Sequence, residues 1–175
     1  MKRLLFIPGS LREASSSRAL VRALAERLET KVEVSVENPG ALPHYNADLH
    51  DDPSVNAFVA SVRNADGVVF VTPEYNYSLP GVLKNAIDWA SRPAFDSAFT
   101  GKPCVVISVS GGALGGVRAQ AHLKYILGGM LAIVPPFKEI VVTHANKKVS
   151  DGVFADEGTL EFAGAALEAF LEKLD

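Results

Sequence analysis

The chain has one cysteine, Cys104, and four histidines. A lone cysteine excludes an intramolecular disulfide and any metal site built on paired thiolates. His44, His50, His122 and His144 show neither His-x-His nor His-Glu-x-x-His spacing, so no metal is expected. No apolar stretch approaches the roughly 18 residues of a membrane span. The apolar start, Leu4 to Ile7, is cut short by Pro8 and reads as a first strand rather than a leader. A long run of Lys or Arg is also missing and the formal net charge is −3, which disfavours nucleic acid as a partner. These absences point to a cytoplasmic protein with neither a membrane nor a nucleic-acid partner. The chain lacks Gly-x-Ser-x-Gly, a Gly-Lys-Ser/Thr phosphate loop and Gly-x-Gly-x-x-Gly. That argues against a serine hydrolase, a P-loop enzyme and a dinucleotide fingerprint. A phospho-receiver would want an acidic cluster after its first strand, where this chain has Ile7-Pro8.

What is present is a regular alternation of elements. The length, 175 residues, suits one domain over 1–175 with one substantial core. Strands are expected at Arg3 to Ile7, Lys31 to Glu37, Gly67 to Val71 and Cys104 to Val109. A fifth is expected from Leu131 to Val134 and Glu139 to Val142, bent at Pro135-Pro136. Helices are expected from Ser15 to Glu29, from Pro53, from Gly81 to Ala90, from Val117 to Leu127 and from Asp156 to Leu174. Ser15, Ser16 or Ser17 is suited to cap the first helix. Thr143 to Gly152 is polar and reads as an exposed loop. Three of the strands are near-continuous apolar runs, the pattern of a parallel sheet covered on both faces. The expected fold is therefore α/β: a flavodoxin-like, doubly wound, five-stranded parallel sheet of order 2-1-3-4-5 with helices on both faces. Cys104, inside an apolar strand, reads as a buried core thiol.

Such a fold brings the carboxyl ends of strands one, three and four side by side, and all three following loops carry ligand chemistry. The first, Gly9-Ser-Leu-Arg-Glu-Ala-Ser-Ser-Ser-Arg18, offers hydroxyls, arginines and a helix start. By composition it is either a phosphate site or a serine-rich helix cap. The second, Thr72 to Pro80, holds Glu74, Tyr75, Asn76, Tyr77 and Ser78 between two prolines. The third, Ser110-Gly-Gly-Ala-Leu-Gly-Gly116, allows backbone to approach a flat ligand. Together they describe a slot with a phosphate end and a planar, polar-ringed end. FMN fits that description, and a nucleotide with its base fits it less specifically.

Three blocks carry a resemblance: Gly9-Ser-Leu-Arg12 with Ser15 and Arg18; Pro73-Glu-Tyr-Asn-Tyr-Ser-Leu-Pro-Gly-Val-Leu-Lys-Asn-Ala-Ile-Asp-Trp89; and Ser110-Gly-Gly-Ala-Leu-Gly-Gly-Val-Arg-Ala-Gln120. In this order they resemble the NAD(P)H-dependent FMN reductase family, which includes soluble quinone and chromate reductases and related azoreductases. The resemblance implies that Ser10, Arg12, Ser15 and Ser17 hold the FMN phosphate, although relatives often carry Asn where this chain has Ser17. It implies that Pro73, Glu74, Tyr75 and Asn76 line the isoalloxazine and ribityl chain, mainly through backbone. It implies that Ser110, Gly111 and Gly112 contact the pyrimidine end. The implied activity is ping-pong hydride transfer from NADPH or NADH, through FMN, to a quinone, azo, chromate-type or flavin acceptor. No side chain is expected to act as a conventional catalytic acid or base, because the cofactor carries the chemistry. The resemblance also implies a homodimer or homotetramer. The rival reading is a flavodoxin-type electron carrier, against which the mild net charge of −3 speaks. A preference for NADPH would call for a cation at the 2′-phosphate, and Arg12, Lys84 and Arg92 are the candidates.

Overall fold

The computed structural model describes residues 1–174. Five parallel strands form one sheet in the order β2-β1-β3-β4-β5, as expected from the sequence. They are β1 (Arg3–Pro8), β2 (Glu33–Val36), β3 (Gly67–Thr72), β4 (Cys104–Val109) and β5 (Ile140–Val142). Their side chains alternate between two cores, as the period of two in a strand requires. Leu4, Phe6, Val69, Val71, Val105 and Ile107 face α1 (Ser16–Leu28) and α5 (Glu157–Leu171). Leu5, Ile7, Val68, Phe70, Cys104 and Val106 face α2 (Pro53–Asn64), α3 (Gly81–Ala90) and α4 (Val117–Gly129). Every residue of β3 and β4 is buried, which explains their unbroken apolar sequences. Edge strand β2 is short and mostly exposed.

Local chemistry sets the helix ends. Asp52 caps α2 by accepting from the backbone N–H groups of Ser54 and Val55, with Pro53 in the first turn. Asp156 caps α5 through the N–H and hydroxyl of Thr159 and also pairs with Lys148. The Thr159 hydroxyl and then Lys148 hold the Asp156 carboxyl down at about 2. Burial pushes the Cys104 thiol well above its ordinary range, consistent with an unreactive core residue.

Two stretches differ from the sequence reading. Leu131 to Val134 is not a strand: only Ile133 bridges, to Pro103, and β5 proper begins at Ile140. Pro135 and Pro136 donate no backbone N–H, so the ladder cannot continue through them. The 143–152 stretch is not a plain exposed loop. It contains a 3₁₀ turn at Ala145–Lys147 and β6 (Val149–Ser150), which pairs antiparallel with β7 (Val153–Phe154). Ala145 is buried.

Candidate functional site

The carboxyl ends of β1, β3 and β4 open onto one cleft of about 200 Å³. Its walls come from all three loops singled out in the sequence. Ser10, Arg12, Ser15, Ser16 and Ser17 form one end. Pro73, Glu74 and Tyr75 form a side, and Val109, Ser110, Gly111 and Ala145 close the other end. Of the expected site residues, Asn76 and Gly112 lie outside this wall, while Ser16, Val109 and Ala145 join it. A larger cavity, about 530 Å³, sits at the opposite, amino-terminal edge of the sheet between Arg3, Arg63 and Lys102. It has none of the loop chemistry described above.

The first loop is drawn tight against β3. Gly9 donates to Val71 O at 2.8 Å, and a Cβ on Gly9 would lie 2.6 Å from Thr72 Oγ1 and 3.1 Å from Thr72 Cα. Only glycine fits that approach. Helix α1 then begins at Ser16 with an uncapped amino terminus: the side chain of Ser15, at the N-cap position, makes no capping bond. The N–H groups of Ser16, Ser17 and Arg18 have no acceptor among the described residues. Ser10, Ser15 and Ser17 are nonetheless buried. Free N–H groups, buried hydroxyls and the positive end of a helix dipole form an anion site. Arg12 adds charge, its guanidinium bonded to Ala14 O at 3.2 Å. Arg18 turns away to Leu11 O and Glu13.

The second loop is a tight turn. Tyr75 and Ser78 exchange backbone hydrogen bonds at 2.9 and 3.1 Å, and Asn76 and Tyr77 sit at φ 49° and 70°. That is the geometry of a two-residue reverse turn, and Asn76, at its tip, is not part of the cleft wall. Two side chains brace it against α4. Glu74 accepts from the N–H groups of Arg118 and Ala119 and pairs with the Arg118 guanidinium at 2.9 Å. Burial pushes the Glu74 carboxyl up, but the Arg118 hydrogen bond and the two helix N–H groups outweigh it, so its pKa is lowered. Arg118 also lies 4.4 Å over the Tyr77 ring, and Ser78 Oγ meets His122 Nδ1 at 3.0 Å. The Glu74 carboxylate is thus spent on capping α4. Ser10 Oγ and the Tyr75 hydroxyl, 3.4 Å apart, tie the first and second loops together.

The third loop presents backbone. Ala145 N–H donates to Ser110 O and His144 N–H to Gly112 O, so the connection after β5 is zipped onto it. Gly112 N–H is taken by Ser110 Oγ at 3.2 Å. A Cβ at Gly111 would meet only Asn146, at 3.5 Å, and one at Gly112 only Ser110 Oγ, at 3.7 Å. Protein packing therefore does not explain these two glycines, and a flat ligand laid on the loop would. The Asn85 and Trp89 side chains of the second block serve another purpose. Both donate to Pro43 O, at 2.9 and 2.8 Å, and Asn85 accepts from Tyr45 N–H. They pin the 38–52 loop to α3. Of the cations considered for a 2′-phosphate, Lys84 is paired with Asp88 and Arg92 lies over the Tyr45 ring. Arg12 alone of the three lines the cleft.

Sequence reasoning gave no role to Arg118, Ala145 or Asn146. Arg118 stands inside the third block, one residue past the helix start, where a partner for a nearby carboxylate is to be looked for. Ala145 reaches the cleft, and Asn146 comes beside Gly111, only through long-range pairing of β5 with β4, which no local pattern reveals.

A parallel doubly wound sheet with one cleft across its first, third and fourth strand ends defines a flavodoxin-like cofactor-binding protein. The comparisons narrow that class. The family model described as NADPH-dependent FMN reductase matches residues 2–147. The chain is 40% identical over 171 residues to a quinone reductase of Escherichia coli (strain K12), covering 94% of this chain and 90% of the relative. It is 37% identical over 170 residues to a 2-hydroxy-1,4-benzoquinone reductase of Burkholderia sp, covering 95% and 91%. Among solved structures it resembles FerB, a flavoenzyme NAD(P)H:(acceptor) oxidoreductase of Paracoccus denitrificans, with TM-score 0.89 and 36% identity over 99% of this chain and 97% of that one. The chain belongs to the NADPH-dependent FMN reductase family.

Proposed function

We propose that the chain is an FMN-dependent NAD(P)H oxidoreductase that reduces quinone-type acceptors, acting as one flavin-binding domain. One observation carries this reading. The unpaired N–H groups and buried serines at the start of α1 open onto the same cleft as a glycine shelf that packing does not explain. An anion site and a flat surface in one cleft suit the two ends of FMN, and family membership supports the choice. Ser10, Arg12, Ser15 and Ser17 hold the phosphate, joined by Ser16. Pro73, Glu74 and Tyr75, with Asn76 setting the turn, line the ring and ribityl chain. Ser110, Gly111 and Gly112 carry the pyrimidine end.

Bound FMN supplies the redox chemistry, two electrons from the nicotinamide to the acceptor in two half-reactions. The residues bind and orient. The α1 amino terminus and Arg12 neutralise the phosphate. The Gly111 N–H, which has no protein acceptor, would offer a donor to the ring end and stabilise the negative charge that develops there on reduction. Pro73 and Tyr75 wall off water from one side, and Arg118 keeps their turn in place. A homodimer or homotetramer in the cytoplasm belongs to the same reading. No helix of the described residues is long and apolar enough to cross a membrane.

The test is the visible spectrum of purified protein with added FMN, followed anaerobically with NADPH and NADH. A bound-flavin spectrum that bleaches within seconds supports the oxidoreductase and reports the nucleotide preference. Bound flavin that stays oxidised with both would favour the electron carrier instead.

A further inference from the structure

A second crevice adjoins the phosphate end of the cleft and has no part in the FMN reading. It measures about 260 Å³ and lies between the carboxyl ends of β1 and β2 and the first two turns of α1. Pro8, Val21 and Val36 give it apolar walls, and Arg18, Arg22 and Glu37 bring charge to it. Ser10 lines both hollows, so the two meet where the phosphate is held.

The side chains of this crevice are not consumed by the fold. Val36 is an aliphatic side chain left 51% exposed on its rim. The Glu37 carboxylate is half-buried, yet it pairs with no cation among the described residues. The two guanidinium groups beside it make only peripheral contacts. Arg18 donates to Leu11 O at 3.2 Å and lies 3.8 Å from Glu13, and Arg22 donates to Gly152 O at 2.9 Å. Two cations, one acidic acceptor and an apolar wall are the complement of a nucleoside phosphate. A base covers the apolar wall, ribose hydroxyls donate to the carboxylate, and a phosphate meets the arginines. The place in the fold suits the same ligand. In doubly wound sheets that bind dinucleotides, an acidic residue downstream of the phosphate turn takes the ribose hydroxyl of the adenosine. Glu37 follows β2 directly.

We propose that this crevice holds the adenosine and outer phosphate of FAD, so that the chain binds FAD as well as FMN through one shared position for the inner phosphate. This rests on the FMN reading above, which puts that inner phosphate at Ser10 and the α1 amino terminus. From there the pyrophosphate passes Ser10 to Arg18, and Glu37 accepts from the ribose.

The experiment measures FMN and FAD binding to the apoprotein by equilibrium dialysis, for the wild type and Glu37→Ala. The wild type is expected to bind FAD with at least about one third of its affinity for FMN. A weaker FAD complex means that the crevice does not admit the adenosine, and it overturns the proposal while the cleft reading stands. Glu37→Ala is expected to bind FAD about tenfold more weakly and FMN as before, the scale of one hydrogen bond to a charged group. Unchanged FAD affinity in the variant overturns the proposal, because an adenosine left in solvent does not sense Glu37. An equal loss for both flavins overturns it as well. The other source of adenosine is tested with NADP+ titrated onto the FMN-loaded protein. Weakened NADP+ binding in Glu37→Ala, with FAD binding unchanged, gives the crevice to the pyridine nucleotide and overturns the assignment to FAD. If the wild type binds neither flavin, the cleft reading fails first and takes this proposal with it. Thermal unfolding of the two apoproteins, expected to coincide, separates a lost contact from a lost fold.

Discussion

At the residue scale, the site depends on what is left unsatisfied. The N–H groups at the α1 start have no protein acceptor, whereas no buried side-chain oxygen among the described residues is left without a partner. A ligand phosphate would give those N–H groups an acceptor. Arg12→Ala removes the guanidinium that lines this end, so FMN affinity is expected to fall by about 1.5–3 kcal/mol, the range for hydrogen bonds to charged groups. Equilibrium titration by flavin fluorescence checks it, and unchanged affinity would remove Arg12 from the phosphate site. Gly111 makes the opposite test. Its nearest neighbour to an added Cβ is Asn146 at 3.5 Å, an ordinary contact, so a side chain there has room in the protein itself. Gly111→Val is therefore expected to fold, with an unaltered circular dichroism spectrum, yet to bind no flavin. A normal flavin complex would show that the third loop does not bear the ring.

At the scale of elements, the second loop is a strained turn held from outside. Asn76 and Tyr77 have positive φ, and Tyr77 gains nothing from that conformation by itself. The Glu74 carboxylate, clamped on the first turn of α4, restrains it. Arg118 is 41% exposed, so solvent screens the pair. Glu74→Gln is then expected to cost about 1–2 kcal/mol in urea denaturation at neutral pH, toward the lower end for charged hydrogen bonds. The pH dependence has a definite sign. The folded-state pKa of Glu74 lies below its ordinary value. Its contribution is therefore complete above the ordinary carboxylate range and is lost as pH falls through the lowered folded value. The gap between wild type and Glu74→Gln should close on acidification across that window. A gap independent of pH would mean that the carboxylate charge does not hold the turn. The same scale shows what the sequence did and did not make legible. The apolar runs at 67–71 and 104–109 announced two central strands, because residues buried on both faces have no polar phase to hide in. The Leu131–Val134 run looked equally apolar, but two prolines leave it a single bridge to Pro103. Polarity alone makes 143–152 an exposed loop. The Asp151-Gly152 pair, with φ 49° and 78°, is a two-residue hairpin signal that carries the correct reading.

At the scale of the whole molecule, the three binding loops follow strands that adjoin in the sheet and are distant in the chain. Their residues were legible one loop at a time, since each has local chemistry. Their convergence follows from strand order, which the alternation of elements supplied. Ala145 escaped because only the register of β5 against β4 carries it to the cleft. A ligand spanning Ser10 to Gly111 therefore ties together β1, β3 and β4, and its binding energy becomes folding energy. FMN at 100 times its Kd is expected to add about 2.7 kcal/mol, or roughly 5–10 °C in Tm for a chain of this size. Riboflavin, which has the same ring and no phosphate, separates the two ends. At equal concentration it is expected to raise Tm by much less than FMN, and the difference should shrink in Arg12→Ala. Equal shifts from riboflavin and FMN in the wild type would mean that the ring alone binds. The open amino terminus of α1 would then have to serve some other anion.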